Sequence, residues 1–189
     1  MAQKLVPGST IPYAGSGGMF AMFRPLIHAT DGLTLGQVCA ITGLEPSTVQ
    51  NWVKRRFVAH PVGKKYRERQ LARILLISAL RDCMKIDSIG ALMAMVNGSA
   101  DDESDDIIPE ERMYDYLCAI IGQIGGNAPA VDAVPRLVQQ VTADYDPPDE
   151  IAAKRLHDAL TVMVCAYTAA QYKKEAELKF RRMKEEEVS

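Results

Sequence analysis

"STVQNWVKRRFVAHPVGKKYRERQ", residues 47–70, is the stretch on which the fold turns. It opens with small polar residues suited to a helix entry. Wound as a helix, Val49, Trp52 and Val53 share one face while Ser47, Gln50, Asn51 and Lys54 share the other. A helix over about 46–56 therefore packs on one side and presents polar groups on the other. The following "AHPVGKKY" carries Pro61 and Gly63, which can turn the chain between two short extended pieces, and we read a small wing over 58–66.

Upstream, Thr34 and Gln37 have capping-box spacing, and Leu35, Val38 and Ile41 make an apolar stripe, so a helix is expected over 34–42. Gly43 suits a left-handed helix stop, and Pro46 suits a first helical turn. Two helices with a short Gly-containing turn between them form a helix-turn-helix, whose second helix can enter a major groove about 12 Å wide. Downstream, Leu71, Ile74, Leu75, Ile77 and Leu80 predict a helix over 67–85, with Arg67 a poor cap. Ile86, Ile89, Leu92, Met93 and Val96 predict another over 86–96.

The order of helix, turn, helix, wing, basic-Tyr junction and two further helices resembles the MerR-like winged DNA-binding domain. The resemblance covers "LTLGQVCAITGLEPSTVQNWVKRRFVAHPVGKKYRERQLARILLISALRDCMKIDSIGALMAMV". The segments "ITGLEPSTVQNWVKR" and "DDESDDIIPEERMYDYL" are also similar to a bacterial family described only as a domain of unknown function with a MerR-like region, and that likeness extends to about residue 121. Regulators of the MerR type usually have Arg-Tyr-Tyr in the second helix; this chain has Gln50-Asn51-Trp52. Contacts at those positions are not carried across, and no inducer is either, because the paired-Cys pattern is absent.

Charge supports a nucleic-acid partner only when the chain is divided. The 189 residues have a net charge of −2, yet residues 1–97 hold 12 Lys and Arg against 5 Asp and Glu, and residues 98–189 hold 10 against 19. Lys54, Arg55, Arg56, Lys64, Lys65, Arg67, Arg69 and Arg73 cluster with only Glu68 to offset them. Each phosphate neutralised releases counterions, giving a salt slope of roughly −0.9 per contact. The expected DNA-binding residues are Ser47, Thr48, Gln50, Asn51, Lys54, Arg55, Lys64, Lys65, Tyr66 and Arg67. Gln50 and Asn51 can offer amides to an adenine edge and Arg55 can pair with guanine or phosphate, while Lys64, Lys65 and Arg67 grip phosphate. Tyr66 can pack under the wing with its hydroxyl toward a phosphate.

The rest of the chain reads as support. Residues 1–32 are expected to be an irregular arm that pins Met19, Phe20, Met22 and Phe23 to the core, with "GSGG" (15–18) as a flexible loop rather than a phosphate loop. "NGSADDESDD" reads as a solvated acidic linker over 98–108, without the Gly and Glu spacing of a Ca²⁺ loop. Residues 109–189 are expected to form a helical dimerisation or effector region. Its last helix carries a short seam of Leu156, Leu160, Met163, Tyr167 and Ala170, read either as a coiled-coil interface or as the core helix of a bundle.

The expectation is thus an all-α protein with a winged helix-turn-helix at residues 33–97 and a small β-wing. Double-stranded DNA is the expected partner, and a homodimer with an unknown effector or protein partner the expected assembly. Four scattered cysteines argue for reduced thiols in a cytoplasm. No stretch approaches the ~18–20 apolar residues of a membrane span. No catalytic constellation, metal or cofactor is expected. The alternative is a non-catalytic interaction module that uses the same fold to bind a protein.

Overall fold

The computed structural model describes residues 5–12, 18–125 and 129–187; Gly15 and Gly17, read above as part of a flexible loop, lie outside them. The described residues form eight α-helices and two short 3-10 turns, Met19–Met22 and Val131–Ala133. The helices are α1 (Arg24–Ala29), α2 (Leu35–Thr42), α3 (Pro46–Lys54), α4 (Glu68–Leu80), α5 (Ile86–Asn97), α6 (Glu110–Ile124), α7 (Val134–Val141) and α8 (Glu150–Glu187). The chain is therefore all-helical among these residues. Among the described residues no helix is long and apolar enough to cross a membrane.

Local chemistry explains where α2 and α3 begin and end. Thr34 Oγ1 accepts from the Gln37 N–H at 3.3 Å, and Gln37 Oε1 accepts from the Thr34 N–H at 2.8 Å, so two orphan donors at the start of α2 are satisfied reciprocally. Gly43 ends α2 at φ 69°, where its N–H donates to Cys39 O at 2.8 Å. Pro46 occupies the first turn of α3, which loses nothing from its missing N–H.

The expected pair of short wing strands is not formed. Val62 and Lys65 exchange backbone hydrogen bonds at 2.9 and 3.0 Å around Gly63 (φ 57°) and Lys64 (φ 64°), and both central residues have the positive φ of a two-residue hairpin turn. Leu33 and Tyr66 exchange another pair at 2.8 Å each. Each pairing is an isolated bridge. Pro61 has no N–H to extend the first, and the Arg67 N–H is taken by Gln70 Oε1 at 2.9 Å at the start of α4.

α4 is the axis of the molecule. Gln70 through Ile77 are all buried, because α2, α5, α6 and α8 each pack against this helix. Leu71, Ile74 and Leu75 consequently share one core with Met113 and Leu117 of α6 and with Leu160 and Met163 of α8. The seam Leu156–Ala170 therefore faces the chain's own core; Leu156, Leu160, Met163 and Ala170 are buried and Tyr167 packs against them.

The N-terminal residues close this core from outside. Phe20 and Phe23 meet edge to face, and Phe20 meets Tyr114 the same way at 6.3 Å. Asp115 Oδ1 accepts from the Phe20 N–H at 2.7 Å. The Tyr114 hydroxyl donates to Pro7 O at 2.6 Å, and the Thr10 N–H donates to Ile41 O at 2.9 Å, so residues 7–10 tie α6 to the end of α2.

Candidate nucleic-acid interface

The outer face of α3 is a product of its inner one. Val49, Trp52 and Val53 are buried, which turns Ser47, Gln50, Asn51 and Lys54 to solvent; Thr48 is half-buried on the flank. Beyond Lys54 the chain leaves the helix through Arg56 at φ 60°, and the Phe57 N–H returns to Trp52 O at 2.9 Å. Arg56 thus fills a left-handed position that glycine usually takes. It is exposed, and sequence reasoning placed it in the basic cluster but not among the site residues.

The basic residues differ in how free they are. Arg55 Nη2 donates to Asp87 Oδ1 at 2.7 Å, and its guanidinium lies 4.7 Å over the Phe57 ring. Arg67 pairs with Asp31 at 3.0 Å. Lys65 reaches Gly32 O at 3.5 Å. Lys54, Arg56 and Lys64 are exposed and have no ion-pair partner among the described residues. Asp87 and Asp31 carry no sequence signal for this role, since each lies more than thirty positions from its arginine. Glu68, the one acid inside the cluster, is held elsewhere by Arg24 at 3.0 Å and by His28 at 2.7 Å.

Three expected contributors sit below the surface. Tyr66 is buried under the turn, and burial holds its hydroxyl above the ordinary phenol range, so it packs rather than presents itself. Arg73 is 3% exposed; its Nε donates to Phe57 O at 2.7 Å and its Nη1 pairs with the fully buried Glu110. Burial raises the Glu110 carboxyl while the adjacent Arg73 pulls it back down, leaving it above the usual range. Arg69 is gripped by the acidic segment: Asp106 Oδ1 at 3.1 Å, Glu103 Oε1 at 3.2 Å and Asp102 O at 2.8 Å. The segment read as a solvated linker is thus clasped onto the basic half.

Beside the clasp an open cleft of about 550 Å³ runs between Arg67, Arg69 and the 103–111 segment. Among the thiols, Cys118 is buried and pushed up to about 12 by that burial, which makes it unreactive, while Cys83 is exposed.

The comparisons with known proteins run along this same surface. Residues 33–117 match a family described as a domain of unknown function (DUF1836). The matched span starts at Leu33, the partner of Tyr66, and ends in α6, so it takes in α2, α3, the turn, the clasp and the Arg73–Glu110 pair. The chain is also 31% identical over 94 residues to the uncharacterized protein YkrK of Bacillus subtilis (strain 168), covering 48% of this chain and 40% of that protein. The chain therefore spans less than half the length of that curated relative. No solved structure matches it.

Proposed function

We propose that the chain is a DNA-binding transcriptional regulator, a MerR-like winged helix-turn-helix that lays α3 in the major groove and sets the 62–65 turn against the phosphates. The observation that carries this reading is the outward face of α3, where Ser47, Gln50, Asn51 and Lys54 are exposed over a buried Val49, Trp52 and Val53. Amides of Gln50 and Asn51 at adjoining positions suit an adenine edge, each good bidentate contact being worth about 1–3 kcal/mol. Lys54, Arg56 and Lys64 border that face as uncommitted cations suited to phosphate. The cleft beside Arg69 is where an effector would act, since its walls include both the root of the turn and the acidic clasp.

The test is a selection of sites from a random duplex library by the wild-type chain and by Gln50→Ala/Asn51→Ala. Wild type should enrich a motif that the variant loses or relaxes. Lys64→Ala should flatten the salt slope by about 0.9. Arg55→Ala should flatten it less, because Asp87 already holds that guanidinium. No enrichment by folded wild type at low salt removes the reading.

One observation favours a second reading, a non-catalytic module that binds a protein. Arg55, Arg67, Arg69 and Arg73 are all paired with carboxylates of the same chain, which lowers the positive field of the cluster. Such a module would pass through a DNA column at moderate salt, whereas the regulator would be retained.

A further inference from the structure

Arg69 stands in the first turn of α4, two positions past Arg67 and within the basic cluster, yet its side chain is only 14% exposed. Residues 99–106 wrap around it. Nη2 donates to Ser99 O at 3.3 Å, to Asp102 O at 2.8 Å and to Asp106 Oδ1 at 3.1 Å, and Nη1 pairs with Glu103 Oε1 at 3.2 Å. Both bidentate forks of a guanidinium, Nη1 with Nη2 and Nε with Nη2, use Nη2. Its two protons already meet three acceptors, and Nε is buried. While the segment is closed, Arg69 has no fork to offer a phosphate.

The segment is fastened at few points. Its base is fixed, since Asn97 Nδ2 donates to Ile108 O at 2.8 Å and both Ala100 and Ile108 are buried. Among the described residues, the hydrogen bonds and ion pairs that join 99–106 to the rest of the molecule run through Arg69. The closed path also depends on Gly98 at φ 49°, where a Cβ would lie 1.8 Å from Asp105 Oδ2. Asp101, Asp102 and Asp105 are exposed around the contact, so the closed segment lays further negative charge beside the cluster.

We propose that residues 99–106 are an autoinhibitory contact: they hold Arg69 in place of a DNA phosphate, and a duplex binds by displacing them. This rests on the DNA-binding reading and adds a regulation to it. Carboxylate and phosphate suit the same planar donor fork, so each can replace the other on Arg69. Because charge holds the segment, salt loosens it as well as the duplex. Wild-type binding should therefore fall less steeply with salt than binding by a chain whose segment is already open.

The test combines hydrogen exchange of the full chain, with and without a random-sequence duplex at low salt, with duplex titrations of variants. In wild type, saturating duplex should protect α3 and speed exchange across 99–106. Glu103→Gln/Asp106→Asn should tighten binding by at least about threefold, and the same pair made on Arg69→Gln should gain less than half as much. Gly98→Ala moves no charge and should also speed exchange across 99–106 and tighten binding. Circular dichroism melts check that the core of each variant is intact. Protection of α3 without a change in 99–106, equal gains with and without Arg69, or a Gly98→Ala chain that opens the segment but binds no more tightly overturns the contact and leaves the DNA reading standing. A duplex that neither binds nor protects α3 removes that reading and the contact with it.

Discussion

Arg73 is the residue whose environment departs furthest from its sequence neighbourhood. It stands in a run of basic residues, yet it is buried with Glu110 and holds Phe57 O, so it fixes the exit of α3 from inside. Removing one partner of a buried pair leaves an uncompensated charge, so Arg73→Met should cost about 3–5 kcal/mol. The pH dependence follows from Glu110, whose carboxyl is already raised by burial. Without Arg73 it rises further, and the folded variant then holds a proton that the unfolded chain has released. Its stability therefore falls as pH rises above the unfolded carboxylate value of about 4.3. The deficit relative to wild type should shrink between pH 7 and about 4.5 in urea melts, and a constant deficit would contradict this. In sequence, Leu71, Ile74 and Leu75 mark an apolar face of α4 and Arg73 lies off it. What the sequence does not display is that the N-terminus of α6, some forty positions on, covers that other face.

At the level of elements, the helices were legible because their signals are local. The capping box at Thr34, the stop at Gly43 and the proline at the start of α3 are all read within a few residues and all appear as expected. The turn between α2 and α3 also has a tertiary constraint. A Cβ on Gly43 would sit 2.7 Å from Thr10 Cγ2, in addition to the strain of φ 69°. Gly43→Ala should therefore destabilise by about 1–2 kcal/mol from the left-handed backbone alone, and more if Thr10 cannot yield. A thermal melt checks this, and a variant as stable as wild type would count against the strap of residues 7–10. The wing was only partly legible. Gly63 correctly announced a turn, but strand formation depends on how far pairing can propagate, and Pro61 together with the Arg67–Gln70 bond stops it after one step on either side.

For the whole molecule, the way the two oppositely charged halves meet is the least local feature and the one least decipherable in advance. The acidic stretch looked like a spacer because its residues are hydrophilic and consecutive. Folded, Glu103 and Asp106 close on Arg69 and bring negative charge against the basic half. Glu103→Gln with Asp106→Asn should therefore strengthen binding to bulk DNA at low salt, with the gain fading as salt rises; a heparin column read against wild type would show it, and unchanged retention would mean that Arg69 lies outside the contact surface. The strap of residues 7–10 has a different kind of consequence. Pro7 waits for Tyr114, 107 positions later, so this strap is synthesised long before it can find its place. Until α6 has been synthesised, Val6, Phe20 and Phe23 have no complete pocket, and the nascent chain must carry these apolar residues uncovered until then.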